Sequence, residues 1–534
     1  MAFSVKPEIT RLPDGGCVWQ RTFDAFRVKV YVPRGGHPLK EIINFGFLAP
    51  YLLIFEENEM SIPEAVAFSD ENGFSGIASE ASSSVVFIFP TNEGGWDKTD
   101  RSLFVDLIAE SAIGPYYEDG MLRHRNRFTK EWTGYSIRGA IFRTFLYGFG
   151  KSADYIAKNL MTTLNGQYLW GPGEITPCAV TLENLTYVPD AFRPDIPIVS
   201  VGNSECVNTR LSKHAEYFLS QDKRDIKAAY AAFLAPFKRW CGVLQREDDL
   251  PALGLLEDFF AEEIETSKDN LGDDTGSERH WIGCAAYYKE ALIKKGNLPL
   301  VLAFHGGGDS TFYLTRVSGW CRVAARNDFL LVAVENHMNS TASEMISLIE
   351  KLKSRYPIDE KRIYAAGFSM GGCKTWDLFQ EYPEVFAGLA PMSATFEVGL
   401  NLYGKPAPKA INRNTPVPVF YAGGEITPLP ELPFQAQKCI DRVKYVFEVN
   451  KVKTPYNVTL ENKENWEDPV YGVCGDKTEK YFDESRNSTL TVRFFESDDG
   501  ITRTAFASVS GQGHECREHT CEQAWKFLSA FSRE

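Results

Sequence analysis

The chain has 534 residues, too many for a single core and well matched to two domains of about 250 residues each. With 44% hydrophobic and 13% aromatic residues it can bury large cores. A formal charge of −14 argues against nucleic-acid phosphates or an anionic membrane surface as partners, and no apolar run approaches the length of a membrane span.

The opening segment, Met1 to Glu8, lacks the apolar core of an export signal. The eleven cysteines are scattered without zinc-like spacing, and only Cys516 and Cys521 stand out as close in sequence. Reduced thiols, a cytoplasmic setting, no metal and no cofactor are therefore the expectation. In the first half, Pro50–Phe55 and Ser84–Pro90 read as buried strands, and Arg143–Phe149 as a third, followed by Gly150, Lys151 and Ser152. Gly148 to Ser152 ends like a phosphate-binding loop, but the upstream glycine of that pattern is replaced by Phe145. Pro197–Val201 is another strand, leading to Glu205. An acidic stretch from Glu247 through Glu257–Glu265 to Asp273–Gly276 has helical spacing and reads as the connector, dividing the chain into 1–265 and 266–534.

The second half carries the chemistry. Leu298–Phe304 is an uninterrupted apolar run, as expected of a buried parallel strand, and it ends in His305-Gly306-Gly307-Gly308. Glycine-rich loops of this kind supply backbone N–H groups to an oxyanion hole. Lys361–Ala366 is a short strand, Gly367-Phe368-Ser369-Met370-Gly371 a sharp turn, and Cys373 onward a helix. Strand, G-x-S-x-G and helix together define a nucleophile elbow, with Ser369 as nucleophile and the Met370 N–H as the second oxyanion donor beside Gly306 and Gly307. Pro416–Ala422 is the next strand, and Glu425 in the turn leaving it is the expected orienting acid, with Asp498 and Asp499 as fallbacks. Two histidines follow the elbow. His514 lies in a loop after the hairpin Leu490–Phe495/Thr502–Ala507, whereas His519 lies near the closing helix, so His514 is the expected base.

These segments, together with Tyr382–Gly388 and Gly511–His514, resemble the polyhydroxybutyrate depolymerase-like and feruloyl or acetyl-xylan esterase branch of the α/β-hydrolases. The resemblance implies a Ser-acid-His esterase over about residues 280 to 534, acting on a small or carbohydrate- or phenolic-linked ester. It departs from that branch in carrying glutamate at the acid position and a long insertion before the histidine. A serine peptidase of the prolyl-oligopeptidase type, an acyltransferase and a non-catalytic binding protein remain the rival readings, and self-association is left open.

The first half repeats the pattern without the chemistry. Pro50–Phe55 matches Pro299–Phe304, but Glu56-Glu57-Asn58 replaces the glycine-rich loop. Arg143–Ser152 lies over Arg362–Gly371, which puts Gly150 in the place of Ser369. Pro197–Glu205 matches the strand leading to Glu425, and His214 follows too closely to act as a base. Tandem α/β-hydrolase-like domains are expected, the first non-catalytic and acting by packing on the second.

Overall fold

The computed structural model describes residues 9–534 except 23–25, 41, 46–47, 112–114, 119–120, 126–131, 136–140, 169–170, 241, 271–277 and 336. The opening Met1 to Glu8 and the connector's Asp273–Gly276 lie outside the described residues. The chain divides into two compact units, Met1–Asp248 and Asp249–Glu534.

In the first unit nine strands form one sheet: β1 (Ile9–Arg11), β2 (Cys17–Thr22), β3 (Phe26–Val32), β4 (Tyr51–Phe55), β5 (Val85–Pro90), β6 (Thr144–Phe149), β7 (Ala179–Glu183), β8 (Ile198–Val201) and β9 (Phe218–Gln221). Their spatial order is β1-β2-β3-β5-β4-β6-β7-β8-β9. The second unit has ten: β10 (Leu256–Glu265), β11 (Arg279–Tyr288), β12 (Leu298–Phe304), β13 (Leu330–Val334), β14 (Ile358–Phe368), β15 (Gly388–Met392), β16 (Val419–Gly424), β17 (Lys477–Asp483), β18 (Ser488–Phe495) and β19 (Thr504–Val509). Their order is β10-β11-β13-β12-β14-β15-β16-β19-β18-β17.

The two orders superimpose. β3-β5-β4-β6-β7-β8-β9 corresponds strand for strand to β11-β13-β12-β14-β15-β16-β19, with the same antiparallel first pair and parallel pairs thereafter. Both units are α/β-hydrolase-like sheets flanked by helices, so the repeat read from the sequence is a repeat of topology. The first unit is a twisted α/β sheet and not a propeller, so the prolyl-oligopeptidase reading is not favoured. Burial explains the composition of the central strands. All residues of β4, β12, β13 and β15 are buried, because helices cover both faces of a parallel sheet.

The acidic connector is a correction. Leu256–Glu265 is an edge strand of the second sheet, antiparallel to β11, so the division falls at Asp248/Asp249 rather than after 265. Buried Phe260 and Ile264 are four apart, a spacing that fits one helix face and equally one strand face. On that same strand face Asp258 and Glu262 meet Arg355 at 3.1 and 3.7 Å. A row of charges is what an exposed sheet edge needs to discourage further pairing. Among the described residues no helix is long and apolar enough to cross a membrane.

Candidate active site

Strand β14 ends at Phe368 and the helix Met370–Glu381 begins one residue later, with Ser369 between them at φ 53°, ψ −116°. That conformation is strained for a residue with a side chain, costing on the order of 1–3 kcal/mol. The flanking glycines are obligatory on contact grounds. A Cβ on Gly367 would lie 2.1 Å from the Gly371 carbonyl oxygen, and one on Gly371 would lie 2.0 Å from that of Phe304. The second contact also shows how closely the start of the helix approaches the loop leaving β12. Ser369 N–H donates to Met392 O on β15 at 3.0 Å, which fixes the turn from below.

His514 lies on the loop after β19, as expected, with its ring 4.9 Å from that of Phe368. Ser369 Oγ–H points to His514 Nε2 at 2.8 Å, and His514 Nδ1–H donates to a carboxylate at 2.6 Å. That carboxylate belongs to Glu431, not to Glu425. Glu425 is held by its backbone, whose N–H donates to Val509 O at 3.1 Å, and among the described residues no hydrogen bond or ion pair joins its side chain to His514. The acid turn is longer than the sequence reading allowed. It runs through Pro428-Leu429-Pro430 before returning to the sheet end, where Glu431 is 1% exposed and accepts the Gly424 N–H at 2.8 Å. The Glu431 carbonyl accepts the Tyr421 hydroxyl at 2.6 Å, and Gln435 Oε1 accepts the Glu431 N–H at 2.8 Å. One signal in the sequence does point to it. Glu431 is the lone acid in the proline-stiffened apolar stretch Thr427–Phe434, where a carboxylate is buried only if paired. The fallbacks are elsewhere: Asp499 pairs with Arg503 and the Asp498 N–H donates to Lys451 O. His519 faces Asp483 at 3.8 Å.

The glycine-rich loop sits beside the elbow. His305 is buried between the carbonyls of Gly306 and Glu335, 2.8 Å from each, so it braces the loop rather than facing the serine. The N–H groups of Gly307 and Met370 have no hydrogen-bond partner among the described residues. The Asp309 side chain packs against this loop, its Oδ2 lying 2.5 Å from where a Cβ on Gly306 would be. On the other flank Met370, Met338 and Phe396 are partly buried against Cys373, Ala394 and Leu402, an apolar wall next to the nucleophile. A hydroxyl, imidazole and carboxylate in this relay can pass the serine proton to the ring while the carboxylate steadies the resulting charge. Among the described residues no group of three or more His, Cys, Asp or Glu side chains could hold a metal ion.

The equivalent place in the first unit is built differently. Gly150 takes φ 59°, ψ −125°, within a few degrees of Ser369, between β6 and the helix Lys151–Asn159. Its N–H donates to Glu183 O at 3.0 Å, the counterpart of the Ser369–Met392 bond. The Lys151 N–H, which matches that of Met370, already donates to Glu57 Oε1 at 3.0 Å. A carboxylate there would repel a phosphate as well. Glu56, at the place of His305, is buried, and burial pushes its carboxyl up to about 8. On the segment after β9, where the second unit has His514, Arg224 pairs with Glu183 at 2.8 and 3.0 Å.

No protein-family model matches the chain. The bifunctional acetylxylan esterase/xylanase XynS20E of Neocallimastix patriciarum is 31% identical over 137 residues, 24% of this chain and 19% of that protein. Poly(3-hydroxyalkanoate) depolymerase C of Paucimonas lemoignei is 26% identical over 116 residues, 18% of this chain and 28% of that protein. The chain is related to the α/β-hydrolase esterases. It spans less than a third of the length of these curated relatives. Among solved structures, the acetyl xylan esterase from Aspergillus awamori matches over 51% of this chain and 99% of its own, with 13% identity and a TM-score of 0.33.

Proposed function

We propose that the chain is a serine carboxylic-ester hydrolase whose single active site lies in the second unit. The observation that carries the reading is the relay Ser369–His514–Glu431, with contacts of 2.8 and 2.6 Å, at a strained elbow. Ser369 Oγ attacks the ester carbonyl carbon as its proton passes to His514 Nε2. The carbonyl oxygen takes the negative charge between the N–H groups of Met370 and the Gly306–Gly307 loop. Such donors are each worth roughly 3 kcal/mol in the transition state. His514 returns the proton to the leaving alcohol, water adds to the acyl-enzyme with the same histidine as base, and the acid departs. The relatives' names suggest acetylated polysaccharide and polyester as substrate classes to try. Small acyl esters and carbohydrate- or phenolic-linked esters are the proposed range. A cytoplasmic setting with reduced thiols belongs to the same proposal, to be checked by counting titratable thiols in the denatured chain.

The deciding experiment is labelling with a fluorophosphonate. One equivalent is expected on Ser369, located by peptide mass, and an unlabelled chain would favour a binding protein instead. Glu431→Gln is expected to lower kcat about ten-thousandfold, because a glutamine no longer holds the imidazole in its productive tautomer, while Glu425→Gln stays within about threefold of the parent. Steady-state rates decide between the two glutamates, and the reverse pattern would restore Glu425. The first unit is proposed to be non-catalytic. In a chain that also carries Ser369→Ala, Gly150→Ser is expected to yield no ester turnover, since Arg224 is no base and Glu57 already holds the Lys151 N–H. Turnover from that double variant would show that the first unit retains a usable site.

A further inference from the structure

The helix Met370–Glu381 reaches with buried polar side chains into two loops beside the serine. Lys374, 1% exposed, donates to Ser340 O at 2.5 Å and pairs with buried Asp377 at 3.5 Å. Asp377 accepts the Leu402 N–H at 3.3 Å. Gln380 holds the same loop at two points, its Oε1 accepting the Gly399 N–H at 2.8 Å and its Nε2 donating to Leu400 O at 3.1 Å. The Trp376 indole donates to Ala394 O at 2.9 Å, and buried Arg442, on the helix Gln437–Asn450, donates to Phe396 O at 2.6 Å. Charged groups are costly to bury and costlier to leave unpaired, so the loops they hold have little freedom. What those loops display is apolar. Met338 stands two residues before Ser340 and Phe396 two after Ala394, and both pack with Met370 against Cys373, Ala394 and Leu402. Met338, Met370 and Phe396 are themselves only half-buried.

We propose that Met338, Met370 and Phe396 form the acyl-binding wall of the ester-hydrolysing site, held by the buried polar groups behind it, and that it takes a linear apolar acyl group longer than acetyl, butyryl to hexanoyl. This rests on the serine-hydrolase reading. The proton route decides which part of the ester meets the wall. His514 must reach the leaving oxygen, and its ring lies on Phe368, the residue before the serine. The alcohol therefore leaves past His514 and Phe368, and the acyl part falls to the flank built by Met370, the residue after the serine. None of the six side chains gathered there is charged or carries a hydroxyl, so what they recognise is hydrocarbon. Unbranched methionine adapts to a flexible chain. Each methylene seated on such a surface is worth about fourfold in kcat/KM, whereas acetyl has only a methyl to offer.

The test measures kcat/KM of the full chain for p-nitrophenyl acetate, butyrate and hexanoate, which share one leaving group, so that effects on the His514 side cancel in their ratios. In the parent, butyrate is expected to exceed acetate about fifteenfold, about fourfold for each of the two added methylenes. Phe396→Ala and Met338→Ala, made separately and each first shown to take up one equivalent of fluorophosphonate on Ser369, are expected to lower that ratio about threefold or more. Gln380→Met removes both bonds to Gly399 and Leu400 without touching substrate, and is expected to lower the ratio in the same direction. A butyrate-to-acetate ratio below about three in the parent, or one unchanged in both alanine variants, would overturn the acyl wall. An unchanged ratio in Gln380→Met would overturn the part assigned to the buried groups. Absence of fluorophosphonate labelling in the parent would instead overturn the hydrolase reading and this inference with it.

Discussion

Replacing Ser369 by alanine is expected to lower ester hydrolysis by about a millionfold while leaving the fold and melting temperature close to those of the parent. The size of the loss follows from the hydroxyl being the only group that can bond to the substrate carbon. The near-neutral effect on folding follows from its contacts. Ser369 is anchored through its backbone, to Met392 O and as the first acceptor of the helix, and these bonds survive removal of Oγ. What remains would be the rate supported by binding and the oxyanion donors alone. Activity within about tenfold of the parent, with the fluorophosphonate adduct on another residue, would move the nucleophile elsewhere.

His514→Ala should be comparably severe, again about a millionfold in turnover, because serine without a base is a poor nucleophile at neutral pH. His519→Ala should stay within about threefold of the parent, since a residue off the relay contributes no proton transfer. It faces Asp483 from the closing helix, and burial holds its imidazole below the ordinary histidine range. Parallel rate measurements on the two variants decide the base, and an inactive His519→Ala beside a near-normal His514→Ala would reverse the assignment. Among the described residues, the His514 variant leaves the buried Glu431 carboxylate with the Gly424 N–H as its hydrogen-bond donor, so some loss of stability is expected along with the lost turnover.

Legibility from sequence followed the range of the interactions involved. Strand β12, the elbow and His514 were readable because each is announced by neighbours along the chain: an apolar run, glycines that a Cβ would forbid, and a loop at a strand end. The repeat was readable for the same reason, since it is a repeat of such local signals. Glu431 was not, because its position depends on how a proline-rich loop folds back onto Gly423, Gly424 and the segment at Gln512 and Gly513. Glu425 was nearer the strand in sequence and lost to a residue nearer the histidine in space. Strand β10 failed differently. Its apolar spacing fits both periods, and only pairing with β11 decides between them.

The near-identical dihedrals at Gly150 and Ser369 bear on where the strain of the elbow comes from. In one unit the position carries no side chain, and the backbone bends the same way. The bend is therefore imposed by the crossover from a central parallel strand to the helix that packs on it, and it does not depend on a reacting group being present. A glycine occupies that bend at ease, whereas a serine does so under tension. The topology thus offers a raised, half-buried pedestal at the end of its middle strand whether or not anything is mounted there. Whether chemistry is present at that bend therefore turns on the few side chains set around it and not on the scaffold that forms it.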